Sequence, residues 1–200
     1  MKKAVLFSLL FLLVQQYANA QITNTVWGLT TCKSSKQDVE RVLRDKGYYY
    51  REETKEDRTI SISIDCKRNK CSFAGEEWTD VSFYIYENTL YYITFWNFRC
   101  KNGYAVLDRL EDKLDKKYND PTFVKEEKRE SDYSKPKVKY WGDTYIIEKG
   151  IGYNGHPDYS YAERKTSNKI SLSCSYNDVC LSFYNGSWLH HISKDGQSEL

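Results

Sequence analysis

Three features of this chain predict an α+β fold in which antiparallel sheet is packed by two main helices. The first is strict alternation in short runs. In Val81-Ser-Phe-Tyr-Ile-Tyr86, Val81, Phe83 and Ile85 share one face while Ser82, Tyr84 and Tyr86 share the other. The second is helical spacing, with Tyr104, Leu107, Leu110, Leu114 and Tyr118 recurring at three- and four-residue steps. The third is an echo between the halves. Each has a cysteine shortly before a helix (Cys32, Cys100) and later a close cysteine pair after an alternating Ile/Leu-Ser strand (Cys66/Cys71, Cys174/Cys180). The echo suggests two diverged tandem helix-plus-sheet units, 21–99 and 100–200, although the same spacing also fits one continuous domain.

The chain opens on Lys2 and Lys3, an apolar run from Ala4 to Val14, and small residues at Ala18-Asn19-Ala20. This is the layout of a secretory signal peptide, residues 1–20, cleaved near Ala20 to leave a periplasmic or secreted protein. The apolar run is shorter than the roughly 18 to 20 residues that a membrane span needs, so no transmembrane span is expected in the mature chain. Removing Lys2 and Lys3 from 30 basic and 28 acidic residues leaves the mature chain formally neutral. Neutrality argues against nucleic acid and against a polybasic membrane-surface binder.

Ser35 and Asp38 form a capping box at the start of the first helix, Val39, Val42 and Leu43 give it one apolar stripe, and Gly47 stops it. Strand composition begins at Tyr48-Tyr49-Tyr50, and the charged stretch Arg51 to Arg58 reads as a solvated loop or hairpin tip. Strands are expected at Thr59–Cys66, Cys71–Ala74, Val81–Tyr86 and Leu90–Phe98, with Asn88 marking a turn. After the second helix, Asn119 and Pro121 end the helical pattern. Lys125 to Lys137 reads as a long loop or an extended hairpin. Further strands are expected at Val138–Trp141, Tyr145–Glu148, Ile170–Tyr176 and Val179–Tyr184.

Six cysteines in an exported chain read as disulfides, with fifteen connectivities open to them. A turn at Arg68-Asn69 would set Cys66 opposite Cys71, and a three-residue loop at Tyr176-Asn177-Asp178 would set Cys174 opposite Cys180. Cys32 and Cys100 then pair by elimination. Free thiols, or pairs crossing between the halves, remain open alternatives. No metal site is expected, because no C-x-x-C occurs and His156, His190 and His191 lie at no ligand-like spacing.

Taken together, Trp27-Gly28-Leu29, the capped helix Ser35 to Gly47, Phe73-Ala74-Gly75, Val81 to Tyr86, Asn88-Thr-Leu, Ile93-Thr-Phe and the helix Leu107 to Tyr118 carry a resemblance. The chain resembles secreted proteins of Bacteroides-type bacteria with folds like the β-lactamase inhibitor protein and the small outer-membrane assembly lipoproteins. The resemblance implies an α+β fold whose sheet binds protein, without catalytic activity. No lipid-attachment cysteine follows the cleavage site, which departs from the assembly lipoproteins, and no residues that grip a β-lactamase are matched.

No G-x-S-x-G, H-E-x-x-H, phosphate loop or dinucleotide fingerprint occurs, and Glu76-Glu77 suit a solvated turn. No cofactor is expected. The function expected is therefore that of a non-catalytic protein-binding module of the bacterial envelope or secretome. The chain has 18 Tyr, 8 Phe and 5 Trp, and Tyr84, Tyr86, Tyr92 and Trp96 are the candidate contact residues, because aromatic faces dominate binding energy. The alternative is a carbohydrate-binding or glycan-processing protein that stacks sugars on Trp78, Trp141 or Trp188.

Overall fold

The computed structural model describes residues 24–118, 123–126, 137–141, 144–151, 157–163, 168–175 and 177–185. The signal peptide expected at 1–20, Asn119, Pro121, Trp188 and all three histidines lie outside the described residues. The chain begins with a small hairpin, β1 (Thr25–Val26) and β2 (Leu29–Thr30), then helix α1 (Lys36–Asp45), β3 (Tyr50–Thr54) and β4 (Ile60–Ile64). A short hairpin follows, β5 (Cys71–Phe73) and β6 (Glu76–Trp78), and then β7 (Asp80–Tyr86) and β8 (Thr89–Asn97). Helix α2 (Gly103–Tyr118) leads into β9 (Phe123–Glu126) and β10 (Lys137–Trp141). A second inserted hairpin, β11 (Thr144–Ile151) and β12 (Pro157–Glu163), precedes β13 (Asn168–Ser175) and β14 (Asp178–Asn185).

The order helix, two strands, inserted hairpin, two strands thus occurs twice. Eight strands form one antiparallel sheet in the order β3-β4-β7-β8-β14-β13-β10-β9, joined at the middle by β8 and β14. The last strand of each half lies at the centre and the first at an edge. The α+β class expected from the alternation and the helical seam is the class observed.

Both helices pack on one face, over Ile62, Ile64, Val81, Phe83, Ile85, Ile93, Phe95, Leu172, Leu181 and Phe183. Helix α1 supplies Val39 and Leu43, both fully buried. Its capping box is present: Ser35 Oγ accepts from Asp38 N–H at 3.2 Å, and Asp38 Oδ2 accepts from Ser35 N–H at 2.9 Å. At the other end Gly47, with φ +69°, donates to Arg44 C=O while Tyr48 N–H reaches Leu43 C=O at 2.9 Å. This is a Schellman stop, and the left-handed angle is why glycine stands there. In α2, Asn102 Oδ1 caps Ala105 N–H, and Val106, Leu107, Leu110 and Leu114 face the sheet. Tyr104, read as part of the seam, is 38% exposed, and Val106 takes its place inside.

The β5–β6 hairpin of the first half closes over the core beside the helix of the second. Arg109 on α2 forms a two-pronged pair with Glu76 at 2.8 and 2.9 Å, and Lys113 donates to Ala74 C=O. Phe73 stacks on Phe95 with centroids 4.7 Å apart, and Trp78 donates from Nε1 to Phe73 C=O.

Four expectations need correction. Half of the charged stretch Arg51 to Arg58 is strand: residues up to Thr54 form β3, an edge strand paired on one side with β4, and Lys55 to Arg58 make the expected hairpin tip. Its charges suit an edge that solvent wets. Cys66 and Cys71 do not belong to one hairpin, because β5 pairs with β6 and not with β4. A turn from Asp65 to Asn69 nevertheless brings the two thiols close to each other. The neighbouring Cys71 and burial push the Cys66 thiol up, and Cys66 holds Cys71 below its ordinary value against burial, while Asp80 and Asp65 oppose ionisation of both.

Cys174 and Cys180 cannot bridge. The β13–β14 register pairs Cys174 with Val179 and Ser173 with Cys180. The turn is one residue shorter than expected, and a one-residue slip sends a side chain to the other face. Cys174 therefore faces the helices, while Cys180 lies across the sheet beside Thr94 and Ser182. Cys32 and Cys100 are also apart. Cys32 N–H bonds Leu90 C=O at the start of β8, whereas Cys100 follows its end. Seven residues of strand amount to roughly 20 Å, far beyond disulfide reach.

Candidate functional site

The other face of the sheet carries no helix among the described residues, and its side chains fall into three rows running across the strands. Ser63, Ser82, Thr94, Ser182 and Ser171 are successive cross-strand partners on β4, β7, β8, β14 and β13. This ladder of hydroxyls spans five strands, roughly 19 Å. Beside it runs a second row, Ser61, Tyr84, Tyr92, Tyr184 and Lys169. On the opposite flank lie Asp80, Trp96, Cys180 and Ser173.

Small polar side chains thus form a floor between two lines of larger ones. Tyr84 stacks on Tyr92 at 5.1 Å, and Tyr184 meets Tyr92 edge-on at 5.8 Å. The Tyr92 hydroxyl leans over the floor to Ser182 Oγ at 3.1 Å, and Lys55 Nζ lies 4.7 Å from the Tyr84 ring centroid. The floor hydroxyls bond one another. Ser63 and Ser82 are 2.8 Å apart, Ser82 donates to Asp80 at 3.1 Å, and Ser182 donates to Thr94 at 3.4 Å. At the far end Trp96 stacks in parallel on Phe98 at 5.2 Å, and Phe98 is 47% exposed.

A bulge aligns the tyrosine row. The β7–β8 register shifts between Tyr84 and Ile85, so that Tyr84 faces Tyr92 while Ile85 faces Leu90. Tyr91 is the extra residue, which lets Leu90 and Ile93 both enter the core and returns Tyr92 to the face opposite.

Of the four candidate contact residues, the structure brings Tyr84 and Tyr92 together and places Trp96 on the same face across the floor. Tyr86 is different: only 4% of it is exposed, so it packs and offers no contact area. Alternation fixes which face a side chain takes but not whether that face is covered there. Tyr184 and the hydroxyl row were missed, although Ser61, Ser63, Ser82, Ser171 and Ser182 all interrupt apolar alternation with small hydroxyls. Trp78 and Trp141 are 3% and 1% exposed, so neither can be a sugar platform. Trp141 instead donates to Asp115 on α2 at 3.1 Å.

Burial raises the titrating groups of this face. Burial pushes the Tyr92 phenol up, and its bond with Ser182 draws it partly back. Burial also raises Tyr84, reinforced by the Asp80 and Cys180 charges. Cys180 is raised by burial too. Asp80 is raised by burial, against the donated bond from Ser82. A carboxyl raised on folding contributes stability below the ordinary carboxylate range and loses it as pH rises through its raised value. Asp80→Asn is therefore expected to raise the melting temperature at neutral pH by roughly 1–2 °C, with the gain vanishing in acid. Thermal melts of both proteins from pH 3 to 8 check it, and a gain independent of pH would contradict the assignment.

In this row Ser182 is bonded to Tyr92, Thr94 and Cys180, none of which is a base for activating a hydroxyl. No group of three or more metal-ligating side chains occurs among the described residues, and no helix there is long and apolar enough to cross a membrane. A groove of about 130 Å³ lies on the helix side, lined by Phe73, Leu110, Lys113, Leu114, Lys117 and Phe183. That is smaller than the roughly 300 Å³ at which small-molecule sites begin. No family model, curated protein or solved structure matches the chain.

Proposed function

We propose that this chain is an exported, non-catalytic protein of the bacterial envelope or secretome that binds another protein through the helix-free face of its sheet. The observation that carries the reading is the tyrosine row Tyr84–Tyr92–Tyr184 set along a floor of hydroxyls. Tyrosines give large, stiff contact area with few rotatable bonds, and the buried hydroxyls beside them (Thr94 and Ser182 are each 2% exposed) hold the rings in place, as the bond from Tyr92 to Ser182 does. The formal neutrality of the chain without Lys2 and Lys3 favours a protein over a polyanion. A glycan partner has less support, because two of the three tryptophans suited to stacking are interior.

The test is a photo-crosslinking residue at Trp96 or Tyr84 during growth of the source organism, followed by mass spectrometry and then affinity measurement with the protein captured. Tyr92→Ala is expected to weaken that affinity by roughly 30-fold, about 2 kcal/mol, with the circular dichroism spectrum unchanged. Crosslinks arising only from helix-side positions such as Arg44 would sink the reading. Retention on envelope polysaccharide, lost with Tyr92→Ala, would transfer it to a glycan.

A further inference from the structure

We infer that Cys100 and Cys174 form a disulfide that ties the entry of helix α2 to the end of strand β13. The two sulfurs converge on one point, the place where a β-carbon on Gly103 would stand in the first turn of α2. A β-carbon built on Gly103 would lie 3.0 Å from Cys174 Sγ, 3.3 Å from Cys100 Sγ and 3.2 Å from Asn177 Cα. A β-carbon there would crowd both sulfurs, and their separation can be no more than those two contacts laid end to end. Cys100 is also held from the other side: its N–H bonds Asn177 C=O at 3.0 Å and its thiol donates to the same oxygen at 2.9 Å. Arg99 N–H bonds Asp178 Oδ1 at 2.8 Å, so the loop before α2 is clamped to the β13–β14 turn that presents Cys174.

Burial pushes Cys174 up to about 11, with the Cys100 charge adding to it. Cys100 is raised by burial as well, but it is only half-buried. Oxidation therefore begins at Cys100. Its thiolate attacks the disulfide of an oxidant, glutathione disulfide or a protein dithiol oxidase, forming a mixed disulfide and expelling one thiolate. Cys174, losing its proton, then attacks the Cys100 sulfur and expels the second. Two thiols lose two protons and two electrons, and the oxidant leaves as two thiols.

An oxidising compartment belongs to the export reading, so the test is made in vitro, where the two can fail separately. The reduced chain is refolded in a glutathione redox buffer, remaining thiols are alkylated, and the protein is digested without reduction. Trypsin leaves Cys174 and Cys180 in one peptide, so chymotrypsin is added to cut after Tyr176. The expected result is a Cys100 peptide joined to a Cys174 peptide, two hydrogens lighter than the sum of the free thiols, with Cys180 alkylated. Cys100 joined to any other cysteine, left as a glutathione adduct or alkylated would overturn the inference. The same link forming in vitro, with both thiols free in protein taken from the source organism, would instead count against export.

Discussion

Phe95→Ala is expected to lower the unfolding free energy by about 3 to 5 kcal/mol, because it removes the ring around which the helix-side core is organised. Phe95 is fully buried on β8, the strand that joins the two halves of the sheet through β14. Its ring stacks on Phe73 at 4.7 Å and meets Trp78 at 5.3 Å, Trp27 at 5.7 Å and Phe183 at 6.3 Å. These partners come from the β1–β2 turn, the β5–β6 hairpin and β14, so collapse into the space left would have to move several elements at once. Urea unfolding should show a lower midpoint at unchanged slope. A loss below about 1 kcal/mol would mean that the hairpin carrying Phe73 and Trp78 does not pack there.

Local patterns in this chain speak clearly and long-range pairings hardly at all. The capping box at Ser35 and Asp38, the Gly47 stop and the Leu107-Leu110-Leu114 seam are decided within a few residues, so spacing reveals them. The edge strand Tyr50–Thr54 is hidden, because four charged or polar side chains look like a loop unless the neighbouring strand is known. Cys174 shows the same limit from the other side. Its strand is evident, but whether its sulfur faces the helices or the hydroxyl floor turns on one residue of loop length. The tyrosine row required a bulge at Tyr91, which alternation alone cannot place, and Tyr184 comes from a strand about ninety positions away from Tyr92. Candidate contact residues were therefore readable on one strand at a time, and the surface they compose only after the sheet was closed by β8 and β14.

Cys100→Ser should be the more informative of the cysteine changes. A bridge to Cys174 closes a loop of about 75 residues, for which chain entropy predicts about 4 kcal/mol of stabilisation. A bridge between Cys66 and Cys71 closes about five residues and is worth about 2 kcal/mol at most, since native strain subtracts from it. Under oxidising conditions Cys100→Ser is thus expected to cost about 2 kcal/mol more than Cys66→Ser. Packing alone predicts the reverse or no difference, because Cys100 and Cys66 are both only partly buried and serine is nearly isosteric with cysteine. Repeating the urea titrations with a phosphine reductant separates the causes. The penalty of Cys100→Ser should then collapse to within about 0.5 kcal/mol, because wild type and variant would both lack the link. If the penalty persists in reductant, it belongs to the hydrogen bond from Cys100 to Asn177, and the covalent tie between helix α2 and strand β13 does not exist.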